Sequence, residues 1–340
     1  MRPTEMVSTE EDGLPLATLT ACSFDRWYPS LRQHSIPSTV LPLSDEFVEY
    51  LKADGVFVAG NEDDDDDDDW SDGKTAQEER EETASAPRFP ALEAAIDSAI
   101  EKHGGAVLPK LNWSAPVDAA WMLGGSLKCH SVRDVLLLLK SSDRVAHDLC
   151  DARRLCTGGA GSSERHSWVL VLRKWSNLRP SSEFRCFRSG GRLVAACQRD
   201  RFSHYPFLEP ERQQILERLE RFQRDHLTAT VLPEPLVWDA YIDVQGRVYL
   251  IDAAPFHEST DPILFDWPGL RACAAQPQPA ELRLVEADTV RPSAGMYHGM
   301  PFDLQQQGCE TLEGLVAKAA SAAEGAAEGA AEGAPLADGP

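Results

Sequence analysis

Two strand-turn-strand patterns in the second half of the chain constrain its fold more than any other feature. Glu183 to Arg188, the turn Ser189-Gly190-Gly191 and Leu193 to Cys197 predict a β-hairpin closed by glycine. Leu236 to Asp243, a turn through Gln245-Gly246, and Val248 to Asp252 predict a second one. Between them Ile215, Leu216, Leu219, Phe222 and Leu227 fall on one helical face that begins just after Pro210. Ala106 to Leu111 and Trp168 to Leu172 are short apolar runs ending beside basic residues, and both read as buried strands. Hairpins with helices between them predict an α+β fold.

Length and charge then bound the function. A chain of 340 residues suggests one large or two smaller domains, and a hydrophobic fraction of 42% with 8 Trp excludes wholesale disorder. The formal charge is −22, and residues 61–82, with thirteen acids and two bases, carry eleven of those excess negative charges. The remaining body is moderately acidic and would repel phosphate backbones, so no nucleic-acid partner is expected. Asn61 to about Ala86 reads as an acidic surface loop, Gly159 to Ser163 as a flexible loop, and the tail from about Ala319, with Ala-Ala-Glu-Gly three times, as disordered. The eight cysteines show no CxxC pair and read as buried free thiols of a reducing compartment. The N-terminus has no basic stretch followed by an apolar run, and no window approaches a membrane span, so no membrane partner and a cytoplasmic or nuclear location are expected.

The usual nucleotide signatures fail. Gly73-Lys74-Thr75 ends like a P-loop, but Asp68 stands where its first glycine belongs, and Gly159 and Gly161 are followed by Glu164 where a GxGxxG needs glycine. The second hairpin is more informative, because Asp239 and Asp252 lie symmetrically about Gln245-Gly246. With a two- or four-residue loop their Cβ atoms would face each other at about 5 Å. Their repulsion, roughly 3 kcal/mol at an effective dielectric near 20, would favour a divalent cation such as Mg²⁺. A three-residue loop with a bulge would instead put them on opposite faces, as two solvated aspartates. Lys110 and Arg173-Lys174 close apolar runs, and Glu183 and Arg185 share one strand face, so basic strand ends and a carboxylate hairpin make a polyphosphate-and-magnesium site conceivable. Each lysine, taken singly, is equally a snorkelling surface residue. His147, Cys150 and Cys156 lack metal-site spacing, and Ser114 lacks the context of a hydrolase nucleophile.

Several segments together resemble the cell division cycle protein 123 family: Leu108 to Pro116, Leu172-Arg-Lys-Trp175, Glu183 to Phe187, Gln198-Arg-Asp200, and Leu250-Ile-Asp252 with Pro255-Phe256. Phe24-Asp-Arg-Trp-Tyr-Pro29, Val40 to Leu43, Trp70 to Asp72 and Lys140 to Asp143 match as well, with fainter traces at Arg291 to Ser293 and Pro301 to Leu304. That family is the ATP-grasp assembly chaperone of eukaryotic translation initiation factor 2. The resemblance implies an ATP-grasp-like fold of two lobes with ATP and Mg²⁺ between them. The expected layout is a flexible N-terminus 1–20, an N-terminal lobe 21–172 carrying the acidic loop, a C-terminal lobe 173–305 and a low-complexity tail 306–340.

By the same resemblance Lys110, Asn112, Trp113 and Ala115 would line the nucleotide from one lobe. Arg173, Lys174 and Trp175 would hold the hinge side, Glu183 the ribose side, Arg185 and Arg199 the phosphates, and Asp239 and Asp252 the Mg²⁺. The implied partner is the gamma subunit of the initiation factor, bound by a monomeric chaperone rather than an enzyme. The alternative is a ligase of the same architecture that joins a carboxylate to an amine through an acyl phosphate. One departure stands out: the family pattern Ile-Asp-Phe-Asn-Pro-Phe is here Ile251-Asp252-Ala253-Ala254-Pro255-Phe256, which removes an amide oxygen beside the expected metal.

Overall fold

The computed structural model describes residues 13–53, 55, 87–158, 166–276 and 278–287. The acidic loop, the Gly159 to Ser163 loop, the tail and the traces beyond residue 290 lie outside the described residues, as does Cys309.

Two sheets organise the chain. The first is antiparallel, in the order β1 (Ser38–Pro42), β3 (Val169–Lys174), β2 (Val107–Lys110). β3 is central because both of its faces are apolar: Val169 and Val171 enter one core, while Leu170 and Leu172 enter another. The second core is completed by helices whose ends the local sequence sets. Ser44 caps Asp45–Lys52 by accepting from Phe47 N, Pro90 opens Pro90–Lys102, and a Ser131/Asp134 capping box starts Val132–Lys140.

The second sheet runs β7 (Val248–Pro255), β6 (Leu236–Ile242), β4 (Glu183–Ser189), β5 (Arg192–Gln198), β8 (Glu281–Arg283), with β8 parallel to β5 and the other pairs antiparallel. Both expected hairpins are present. Gly190 and Gly191 take the positive φ values, 59° and 72°, that close the first. One face of this sheet packs Trp238, Ala240 and Leu250 against the helix Arg212–Phe222, where Ile215, Leu219 and Phe222 are buried as the periodicity required. The other face packs Phe187 and Val237 against Trp267 and Leu270 of the helix Trp267–Ala275.

Three expectations need correction. Residues 13–20 are not a loose end: Leu14 and Leu19 bury against Cys156, and the backbone of Thr157 donates to the Leu14 carbonyl at 2.9 Å. The helix that follows, Phe24–Leu31, fills the layer between the two sheets, burying Phe24, Trp27 and Leu31. A lobe boundary after residue 172 would cut β3, whose pairing with β1 and β2 extends to Lys174. Among the seven described cysteines, all free, Cys150 is exposed, and Cys273 is half-buried because it packs at the edge of the core around Phe187 and Trp267 rather than inside it. Among the described residues no helix is long and apolar enough to cross a membrane.

Candidate functional site

The second hairpin is built differently from the simple symmetric case. Ile242 pairs with Val248, which leaves Asp243 to Arg247 as the connection. Its odd length would set Asp239 opposite Ile251. Ala240 does pair with Leu250, but Asp239 pairs with Asp252, so Ile251 is the extra residue of a bulge. A bulge in the strand, rather than one in the turn, thus brings the two aspartates into register.

Each carboxylate is neutralised from a different direction. Arg185 on β4 lies directly across from Asp239 and grips it with two bonds, Nε to Oδ1 and Nη2 to Oδ2, both at 2.8 Å. Arg199, just past β5, adds Nε to Oδ2 at 3.0 Å. Burial alone would push the Asp239 carboxyl up, but the two guanidinium groups outweigh it and hold it well below the usual carboxylate range. Asp252 accepts from Lys110 Nζ at 2.6 Å, across the gap between the two sheets. Lys110 is 1% exposed, so burial lowers its pKa and the Asp252 charge offsets part of that fall.

These groups line or adjoin a cleft of about 1000 Å³ walled by the second sheet on one side and by Trp113 to Ala115 with the segment Asp143 to Asp148 on the other. Of the residues anticipated from the sequence, Trp113, Ala115, Arg185, Arg199, Asp239 and Asp252 line this cleft, and Lys110 touches it through Asp252. Glu183 is half-buried on the same face as Arg185, its backbone carbonyl bound by Arg199 N, and burial raises its carboxyl pKa. Trp113 is fixed by its indole N–H on the Leu19 carbonyl at 2.9 Å and stacks on His166.

Other anticipated residues are placed elsewhere. Asn112 is fully buried and acts as a brace: its amide nitrogen donates to Ser23 Oγ and to the Ser167 carbonyl, and its oxygen accepts from Val169 N. Arg173 lies beneath the cleft, donating to the Ile251 carbonyl at 2.7 Å. Lys174 is exposed and, by strand alternation, on the side of β3 away from Arg173. Trp175 bonds Asn177 Oδ1 through its indole N–H and is not brought to the cleft.

Sequence reasoning also missed residues. Asp148 accepts from both the backbone N and the hydroxyl of Ser114, at 2.8 and 2.9 Å, and so shapes the turn carrying Trp113 and Ala115. Phe24 lies under two cations, Lys110 Nζ at 5.4 Å and the Arg173 guanidinium carbon at 5.5 Å from its ring centroid. The motif around Phe24 is recognisable, but nothing in it says which side chain lies under these cations.

As a metal site the arrangement is partial. Among the described residues no group of three or more His, Cys, Asp or Glu could hold an ion. Two aspartates in register supply hard oxygens with lone pairs to spare, a donor set that fits Mg²⁺ when phosphate oxygens and waters complete its six positions. It would be too sparse for a metal held by protein alone.

A two-sheet α+β protein with a cleft of paired arginines and aspartates is the class so defined. Residues 27–307 match the model of the D123 family, and the chain belongs to that family. It is 39% identical over 259 residues to the translation initiation factor eIF2 assembly protein of Xenopus tropicalis, covering 74% of this chain and 77% of that one. The protein of the same name from Danio rerio is 37% identical over 303 residues, covering 83% and 87%. The cell division cycle protein 123 of Aspergillus terreus is 39% identical, covering 72% and 61%. A solved structure, C-terminally truncated Cdc123 from Schizosaccharomyces pombe, superposes with a TM-score of 0.67 at 34% identity, covering 80% of this chain and 98% of that one. The family resemblance and the mixed helix-and-sheet fold expected from the sequence both hold.

Proposed function

We propose that this chain is an assembly factor for eukaryotic translation initiation factor 2, that it binds Mg-ATP in the Asp239–Asp252 cleft, and that its client is the factor's gamma subunit. Relatives named as eIF2 assembly proteins match over 74% and 83% of this chain, which supports the assembly role. The single observation carrying the nucleotide part is the charge arrangement: two aspartates in direct register, each neutralised by cations from other strands. Such pairs are ready to exchange partners, the carboxylates facing a metal and the cations facing phosphates. When bound, Mg²⁺ would supply the positive charge that lets carboxylates and phosphates share the cleft. Lys110, Arg185 and Arg199 would orient the phosphates, Asp239 and Asp252 would hold the ion, and Trp113 would border the ligand. We read the cleft as ATP-grasp-like and the protein as a chaperone, not a ligase.

The test is a thermal melt with and without Mg-ATP, paired with capture of purified gamma subunit by the immobilised chain. A ligand at one hundred times its dissociation constant adds about 2.7 kcal/mol to a fold that alone binds it. A rise in melting temperature and Mg-ATP-dependent capture are expected. No shift at millimolar nucleotide would remove the ATP reading, and release of ADP only with a carboxylate and an amine present would favour the ligase.

The alanine at 254 yields a second expectation. Ala254 follows Asp252 by two residues and lines the same cleft, so an amide there would reach the metal position. Ala254→Asn should therefore raise Mg²⁺ affinity at fixed ATP, read by titration calorimetry. An unchanged affinity would mean that position 254 offers no ligand.

A further inference from the structure

Three consecutive residues of β7 are held by side chains from the other half of the chain. Ser35 Oγ donates to the Leu250 carbonyl at 2.7 Å, an Arg173 Nη to the Ile251 carbonyl at 2.7 Å, and Lys110 Nζ to Asp252 at 2.6 Å. Ile251 is the extra residue of the bulge. A bulge disrupts the ladder locally, and buried carbonyls without donors are unfavourable. Here the donors come from outside the sheet. Both are themselves fixed: Ser35 is buried, and the Arg173 guanidinium lies over Phe24.

We propose that Ser35 and Arg173 are positioning residues, which hold the Leu250 and Ile251 carbonyls and so fix the bulge that sets Asp252 opposite Asp239. The functional consequence rests on the Mg-ATP reading; the structural one does not. Without the bulge Asp252 would face Trp238 in the apolar layer, which its charge disfavours. Loss of a donor therefore loosens the bulge rather than slipping the strand, and the metal position loosens with it. Arg173 acts here through the backbone of Ile251, a different role from the hinge-side contact with the nucleotide anticipated for it.

The experiment uses the full chain, with hydrogen exchange of the 248–254 amides and an electron paramagnetic resonance titration of Mn²⁺ at fixed ATP. Ser35→Ala should speed exchange across residues 250–254 and weaken Mn²⁺ binding about tenfold, while leaving ATP affinity in EDTA unchanged. Ser35→Thr, which keeps the hydroxyl, should restore both, and Arg173→Met should act in the direction of Ser35→Ala. If Arg173→Met does not fold, the two Ser35 variants decide alone. Wild-type exchange and Mn²⁺ affinity in Ser35→Ala would overturn the proposal. A wild-type chain that binds no Mn-ATP would overturn the Mg-ATP reading instead, while the exchange comparison would still judge the bulge.

Discussion

Asp239→Ala should cost about 3 to 5 kcal/mol of folding stability, because it leaves Arg185 and Arg199 facing a vacated site with their shared counter-charge removed. Asp239 is 3% exposed and lines the cleft, so cleft water could fill the vacated space but would bring no counter-charge to the two arginines. Urea unfolding measures the loss, and the same variant should show no stabilisation by Mg-ATP. The pH dependence has a definite sign. Since the folded carboxyl is depressed, its contribution is complete above the unfolded value of about 4 and declines as pH falls toward the lower folded value. The gap between wild type and Asp239→Asn should thus be constant from neutral pH to about pH 4 and narrow below it. A loss under about 1 kcal/mol, or a gap that narrows already near neutrality, would contradict the charge arrangement described.

Phe24→Ala should be comparably severe, at about 3 to 5 kcal/mol, since Phe24 is fully buried and meets Trp27 and Tyr28 at ring-centroid distances of 4.6 and 4.7 Å. Its ring also carries the two buried cations, so the damage should extend to the cleft. Phe24→Leu separates the two roles. Leucine keeps most of the apolar volume but offers no π face to Lys110 and Arg173. It should retain most of the stability and still weaken Mg-ATP binding measurably. Equal nucleotide affinity in Phe24→Leu and wild type would show that the ring serves packing alone.

What was legible in the sequence was local. Alternation with glycine turns located both hairpins, and the apolar spacing of Ile215, Leu219 and Phe222 located a helix, because periods of two and of 3.6 residues are imposed by a segment's own geometry. The symmetry of Asp239 and Asp252 about their turn pointed to the right pair of carboxylates, although for an incomplete reason. The extra residue at Ile251 left no mark in the hydrophobic pattern, since a bulge changes register without changing which residues are apolar.

What only the tertiary structure decided was which charges meet. Lys110 and Asp252 are 142 residues apart, and Ser35 and Leu250 are 215 apart. Arg173 and Lys174 are adjacent in the chain and equally basic, yet strand alternation sends one into the buried layer and the other to solvent. Nothing in that dipeptide distinguishes them, because the distinction is which face of β3 the second sheet covers. Residue types and their local periodicity determined the elements, and the family resemblance supplied most of the candidates. The packing of the Phe24–Leu31 helix between two sheets chose among them, since burial and counter-charge belong to positions in space that no short stretch of sequence contains.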